Sequence, residues 1–398
     1  MGTWRAHGDS AWGRVPWLVE RIEGRDTLVA NPDPNVQSPT GYDQWDVQQR
    51  FRAKVPRGYV DVNVQHSTTS NVPRFDVFND VAGGTQKWAE WSYGPQKRTL
   101  FATNVVQGIR GAVWQTMASY QAVEESRIKR RFGQDDRITQ RENLDVWGVT
   151  SVVRGQRRNV DWETGVDGQW NDVASAAKAL NLVTGVTQAD LTRYADGGST
   201  MRTLGAFGSA RRTWGPHTLR GGVRYSHAAV HSTFLDTTWL DLPVRTFDQS
   251  KGALTGSASW SAKWSSQLQT LSSLSSGFRH PNVDDLGKVR EKNGFVLVPN
   301  ADLKPEYLYT AEQGLTWSLR PQSDVLVVHA AAFASLWRDA IVQADASLAG
   351  DTILVIDGDS ARIQMNQNID RAWVRGARLE VSARLWPKTT FRSVINWT

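Results

Sequence analysis

The stretch GFRHPNVDDLGKV, residues 277–289, sets Arg279 and His280 just ahead of Asp284 and Asp285. A second polar stretch, from Thr68 to Lys97, carries Arg74, Trp88, Trp91 and Tyr93. Arginine pairs bidentately with oxygens, and aromatic faces beside it suit flat, anionic chelates. Arg74, Trp88, Trp91, Tyr93, Arg279 and His280 are therefore the candidate ligand contacts. Signatures of bond-making chemistry are missing: there is no Gly-rich phosphate loop, no H-E-x-x-H and no G-x-S-x-G elbow. The chain has no Cys, which removes thiolate metal sites, disulfides and Cys nucleophiles. His227 and His231 stand four apart, an ordinary spacing on a strand, and the acidic pieces DDLGKV and IDGDSAR are too sparse for a calcium loop. We expect no catalytic residue, no bound cofactor and no metal site, and hence no enzyme.

Such contacts need a scaffold, and period-2 alternation says which kind. Val60, Val62 and Val64 alternate with Asp61, Asn63 and Gln65; Val160, Trp162, Val166 and Trp170 alternate with Asp161, Glu163, Asp167 and Gln169. The same holds for Leu219, Val223 and Tyr225, for Leu254 through Trp264, and for Ala377 through Leu385. The reading gives roughly 14 strands of about 9–13 residues. VASAAKALNLV, residues 173–183, is the one fair helical pattern. Short turns are expected at 56–58, 108–111, 155–158, 215–216, 265–266, 321–323 and 387–388. Long loops at 68–97, 124–142, 171–201, 232–250, 279–306 and 338–371 alternate with them. Tight turns at one rim and long loops at the other describe an antiparallel up-and-down barrel. Trp214, Trp264 and Trp386 each precede a short turn, as an interfacial girdle requires; Trp170 and Trp337 suit the opposite girdle.

The composition agrees. The 398 residues hold 46 basic and 40 acidic side chains, a net charge of +6 without a long basic tract for nucleic acid. No apolar run reaches 18 residues, so no spanning helix is expected, and MGTWRAHGDSAWGR lacks the pattern of a signal peptide. In lipid every backbone polar group must be paired within the protein, which strands achieve as a barrel wall. Leu326, Val328, Ala330, Ala332, Ala334 and Leu336 form a face without a polar side chain, assigned to lipid; Arg50, Arg52 and Lys54 then face a wet lumen. A soluble β-domain would reverse the two faces.

Three linked motifs add a resemblance. Gly277, Phe278, Arg279 and Pro281; then Asn300, Leu303, Lys304, Pro305 and Glu306, with Glu312 and Gly314 on the next strand; then Asn368, Gly376 and Glu380 resemble the late barrel of TonB-dependent outer-membrane receptors. PTGYDQWDVQQRF, STTSNVPRFD and KWAEWSYGPQKR resemble the earlier barrel more loosely. The resemblance implies a 22-stranded transmembrane β-barrel, of which 1–398 would be a partial barrel domain lacking the plug and the last strands. It implies a Gram-negative outer-membrane location and active transport of a large scarce nutrient such as a ferric siderophore. It further implies a TonB-type energy-transducing partner acting through the plug, with outer-membrane lipid around the wall. The motif residues are read as rim architecture, with Glu306 and Glu312 placed to meet Arg279. Alternatives are a passive porin-like channel, or a haem receptor of the same family. The latter carries a His between the F-R-x-P and N-x-x-L motifs, whereas here the imidazole is His280, inside the first motif.

Overall fold

A strand with one apolar side must press that side against something, and the computed structural model shows what. It describes residues 16–398, apart from 37, 78–79, 83, 237, 239–241, 243, 293, 321–324, 357–358 and 387. The N-terminal segment read for a signal peptide, the turn at 321–323 and Pro387 fall outside the described residues.

Fourteen long strands follow one another in antiparallel order among the described residues. They are β1 Gln44–Val55, β2 Gly58–Thr69, β3 Lys97–Ile109, β4 Ala112–Arg131 and β5 Asp136–Arg157. Then come β6 Val160–Asn181, β7 Ser199–Trp214, β8 His217–Thr233, β9 Thr246–Lys263 and β10 Leu268–Arg279. The last four are β11 Glu306–Ser318, β12 Leu326–Asp345, β13 Asp359–Trp386 and β14 Thr389–Trp397. The wall is not closed: the ladder of β14 is with β13 and that of β1 with β2. From Gln44 to Lys54, β1 is exposed on both faces, as an edge strand is.

Register assigns the faces, because directly opposed residues point the same way. Phe51 opposes Val62 and Ala53 opposes Val60, whereas Arg52 opposes Asp61. Tyr225 opposes Leu254, and Leu219 opposes Trp260. Ala330 opposes Leu315 on one side and Leu379 on the other. The apolar members of these rows are outside and uncovered: Leu254 is 74 % and Phe51 59 % exposed. The charged members face inward and pair there. Asp61 accepts from Arg50 at 2.8 Å and Arg52 at 2.6 Å; Asp167 binds Arg224 through both oxygens, at 2.6 and 2.8 Å; Glu380 bridges Arg378 and Arg392, each at 2.7 Å. This is the polarity of a lipid-facing wall and the reverse of a soluble sandwich.

Aromatic rings mark both edges of the apolar band. Phe101, Tyr120, Trp147 and Trp170 are successive cross-strand partners. Trp214, Trp260 and Trp264 gather around His217 near the opposite rim, at ring separations of 5.7 to 6.2 Å. From Trp147 to the end of β5 at Arg157 is ten residues, about 33 Å of strand and about 25 Å after a 40° tilt, the height of a barrel's apolar band. Trp337 departs from expectation. Its partner is Leu308, which opposes the inward Gly277, so it lies on the lumen face.

Several strands are longer than the alternation indicated, up to 28 residues in β13. Segments 124–142, 171–201 and 338–371 are not loops throughout; β4, β5, β6, β12 and β13 continue into them, and residues 132–135 are a tight connection at the long-loop rim. Residues 173–181, read as helical, belong to β6. Their full pairing with β5, down to Asn181 opposite Asp136, overrides the helix preference of four alanines. The connections that remain build the molecule's apolar core at the rim. Phe234, Phe247, Val289, Val296, Val298 and Ile363 are buried together from two connections, β9 and β13; Val230, Val283, Leu286 and Leu303 form a second cluster. Residues 295–298 also pair in parallel with 362–365 of β13. The wall thus carries a folded cap of loops at one end.

Candidate functional site

The strand extensions above the band create the site. In β4 the run ESRIKRR puts Arg127, Lys129 and Arg131 on one face by simple alternation, with Ile128 and Arg130 on the other. A short strand, Trp88–Tyr93, lies beside them, opposing Tyr93 to Arg127, Trp91 to Lys129 and Trp88 to Arg131. Inward, therefore, three cations meet three aromatic rings. Outward, Arg130 is buried between Glu90, at 2.8 Å, and Asp26, at 2.7 Å. Asp26 belongs to an N-terminal hairpin, Trp17–Ile22 with Arg25–Ala30, which a second ion pair, Arg21 to Asp135 at 2.5 Å, ties to the same tip.

The inner face opens on a cavity of about 800 Å³. Its walls bring in Arg74, Lys87, Arg193, Arg290 and Lys292 in addition to Arg127 and Lys129, against Asp80, Asp190 and Glu291. Seven cations face three carboxylates. Arg74 lies over the Trp91 ring at 4.5 Å and the Tyr93 ring at 5.5 Å, and donates to Asp76 at 2.8 Å. That guanidinium holds the Asp76 carboxyl below its ordinary range. Arg127 donates to buried Glu142 at 2.7 Å. The Arg193 Nε is buried without a partner. Such a set has the chemistry to hold a bulky anion: guanidinium forks for oxygens and ring faces for flat ligand surface, with Arg74, Lys87 and Arg127 already engaged by Asp76, Asp359 and Glu142.

Of the six candidate contacts, Arg74, Trp88, Trp91 and Tyr93 line this cavity, while Arg279 and His280 do not. Arg279 donates to Glu306 and, at 2.6 Å, to Asp285. His280 is buried, with Nδ1 2.7 Å from the Pro281 carbonyl; burial pulls its pKa down. Lys87, Arg127, Lys129, Arg193, Arg290 and Lys292 were not among the candidates. The alternation of ESRIKRR was a usable signal for the first strand; nothing local in the sequence brings 193 and 290 together.

The motif residues lie in a different place, the junction of β10, β11 and β13. Asp285 and Asn282 cap the short helix α1, Val283–Gly287, reciprocally. Glu306 accepts from Arg279 and also from the Ile341 amide at 2.9 Å. The Asn300 side chain donates to the Asn366 carbonyl, and Asn368 grips Lys304 through both its amide and its carbonyl. Pro281 is fully buried and Leu303 lies in the second apolar cluster. Pro305 leads into β11 at Glu306. Phe278 packs on Tyr307 with ring centres 5.3 Å apart, on the outer face. Gly277 and Gly314 each lie under a leucine Cβ, of Leu308 and Leu271. A Cβ on Gly376 would stand 2.6 Å from the Phe333 ring and 2.9 Å from the Trp397 carbonyl. Glu312 opposes Ser273, six residues along β10 from Arg279, and does not meet it.

The family profile described as "TonB dependent receptor-like, beta-barrel" matches residues 23–398. No curated protein sequence matches. Among solved structures, the chain is similar to the copper transporter OprC, with a TM-score of 0.70 and 15 % identity over 92 % of this chain and 54 % of that one. It is similar to the Serratia marcescens hemophore receptor HasR, at 0.62 and 13 % over 86 % and 52 %. The ferric yersiniabactin uptake receptor FyuA from Yersinia pestis gives 0.56 and 16 % over 92 % and 52 %. The chain spans about half the length of these structures. With an outward apolar band, an inward polar lumen, a loop cap at one rim and a profile match over nearly its whole length, the chain belongs to the TonB-dependent receptor family.

Proposed function

We propose that this wall is part of an outer-membrane active-transport receptor for a large, anionic nutrient such as a ferric siderophore, energised by a TonB-type partner. Barrels of this family are outer-membrane transport receptors of Gram-negative bacteria. The observation that supports the ligand class is the rim cavity: about 800 Å³, within the range of small-molecule sites, with seven cations, three carboxylates and the rings of Trp88, Trp91 and Tyr93. Ferric siderophores are bulky, oxygen-rich and commonly anionic, so this lining is complementary to them. The haem alternative has less support, since the His280 side chain is buried against the Pro281 carbonyl.

Binding of a ferric tricatecholate to the purified chain in detergent, followed by tryptophan fluorescence, tests the ligand. Saturable quenching is expected, weakened about tenfold or more by Arg74→Gln or Arg127→Gln, the loss of one charge-assisted contact. Quenching that is indifferent to both substitutions refutes the site. Uptake by cells carrying the receptor should stop when the TonB-type partner is deleted; uptake that continues supports a passive pore instead.

A further inference from the structure

We propose that Lys87 and Arg131, stacked on Trp88, form an anion subsite occupied by the chain's own Asp359, which a chelating oxyanion of the ligand displaces. The proposal rests on the receptor reading above and specifies how one corner of the cavity selects its ligand.

Asp359 opens β13, whereas Arg131 closes β4, 228 residues earlier. The Asp359 Oδ2 lies 3.0 Å from the Lys87 ammonium and accepts from the Arg131 guanidinium as well. Both cations sit over the buried Trp88 ring, at 5.4 and 5.5 Å. The main chain at both cations is held independently of Asp359. The Lys87 amide donates to the Asp80 carbonyl at 2.8 Å, its carbonyl accepts from the Phe132 amide at 3.2 Å, and Arg131 is held in register with Trp88. Two positive charges thus share one oxygen of one carboxylate, and the Arg131 Nε is buried without a partner. A larger oxyanion, with its oxygens spread wider than the two of a carboxylate, would reach both cations and that N–H, whereas Asp359 meets the cations through Oδ2 alone. Lys87, Trp88 and Ile356, which pairs with Asp359, all line the cavity. The ligand class selected is a chelating oxyanion, such as a catecholate, a hydroxy acid or a phosphate.

Inorganic pyrophosphate, titrated against the full chain in detergent at low salt with tryptophan fluorescence as readout, is the probe. Asp359→Asn removes the competitor and should tighten binding about twofold to fivefold, the scale of one partly exposed ion pair. Lys87→Gln in the Asp359→Asn background should abolish the gain. Asp359→Glu keeps the charge and should bind as wild type; equal tightening in Asp359→Glu and Asp359→Asn would trace the gain to a loosened loop and overturn the proposal. So would unchanged or absent pyrophosphate binding in Asp359→Asn. If the ferric tricatecholate binds through Arg74 while Asp359→Asn alters neither probe, the subsite fails and the receptor reading stands. If pyrophosphate tightens as expected while no ferric chelate binds, the receptor reading fails and the subsite stands.

Discussion

Gly376 shows how much a single residue carries in a wall of this kind. It is a motif glycine on the lumen side of β13, opposite Phe333. An added methyl would lie 2.6 Å from the Phe333 ring, which can turn, and 2.9 Å from the Trp397 carbonyl, which is backbone of β14. Gly376→Ala should therefore destabilise the folded chain by about 1–3 kcal/mol through overpacking. Urea titration in lipid vesicles, read by tryptophan fluorescence, gives the value; a variant as stable as wild type would mean that β14 shifts freely. The motif residues Arg279, Asn300, Glu306 and Asn368 act at the same scale. Each satisfies a main-chain or charged partner at the rim, so their spacing in the sequence reports a local lattice of hydrogen bonds. Glu312 shares the spacing without sharing a bond, which spacing alone could not reveal.

At the scale of elements, the sequence made the fold legible wherever a strand touches hydrocarbon. There, one face is apolar and the other polar, and Leu326 to Leu336 or Leu254 to Trp264 can be read directly. Above the band, water lies on one side and loops on the other. Both faces of β4 then carry charge, the period-2 signal fades, and residues 124–142 read as a loop although they are mostly strand. The candidate cavity was half legible for the same reason: Arg74, Trp88, Trp91 and Tyr93 lie in one contiguous stretch, whereas Arg193 and Arg290 arrive from distant connections. The N-terminal hairpin tests the account of this extension. Burial opposes ionisation of Asp26, but the Arg130 hydrogen bond, the Gly133 amide and the charges of Arg130 and Arg21 together hold its carboxyl below its ordinary value. A depressed carboxyl contributes stability that is present above about pH 4 and is lost as the pH falls through its folded value. Hydrogen-exchange protection across residues 17–30, relative to the intrinsic rate at each pH, should accordingly fall below about pH 4. Arg130→Met leaves Asp26 and Glu90 without their buried cation, and should release the hairpin already at neutral pH. Protection unchanged in Arg130→Met would show that strand pairing, not the ion pairs, holds the hairpin.

The whole molecule turns a soluble protein inside out below the rim and right way round above it. Its buried apolar clusters sit in the loop cap, around Phe234, Val296 and Leu286, while the side chains of the wall that would fill a soluble core point outward. The stability of the wall then depends on depth in the membrane more than on packing. Ala332 lies near the middle of the outward face of β12, flanked by Gln313 and Ala377. Ser273, on the lumen side of β10, opposes Glu312. Arginine at position 332 must bring a charge into hydrocarbon, at a cost of about 2–4 kcal/mol. Arginine at position 273 enters a wet lumen beside a carboxylate, where an exposed pair changes stability by less than about 1 kcal/mol. Ala332→Arg should therefore lower the urea midpoint in vesicles strongly and Ser273→Arg hardly at all. In detergent micelles, which deform around a charge, the gap should narrow. The reverse order, with Ser273→Arg the more damaging, would place the lipid on the wrong side of the wall and undo the assignment of faces on which the cavity, its ligand class and the subsite at Trp88 all depend.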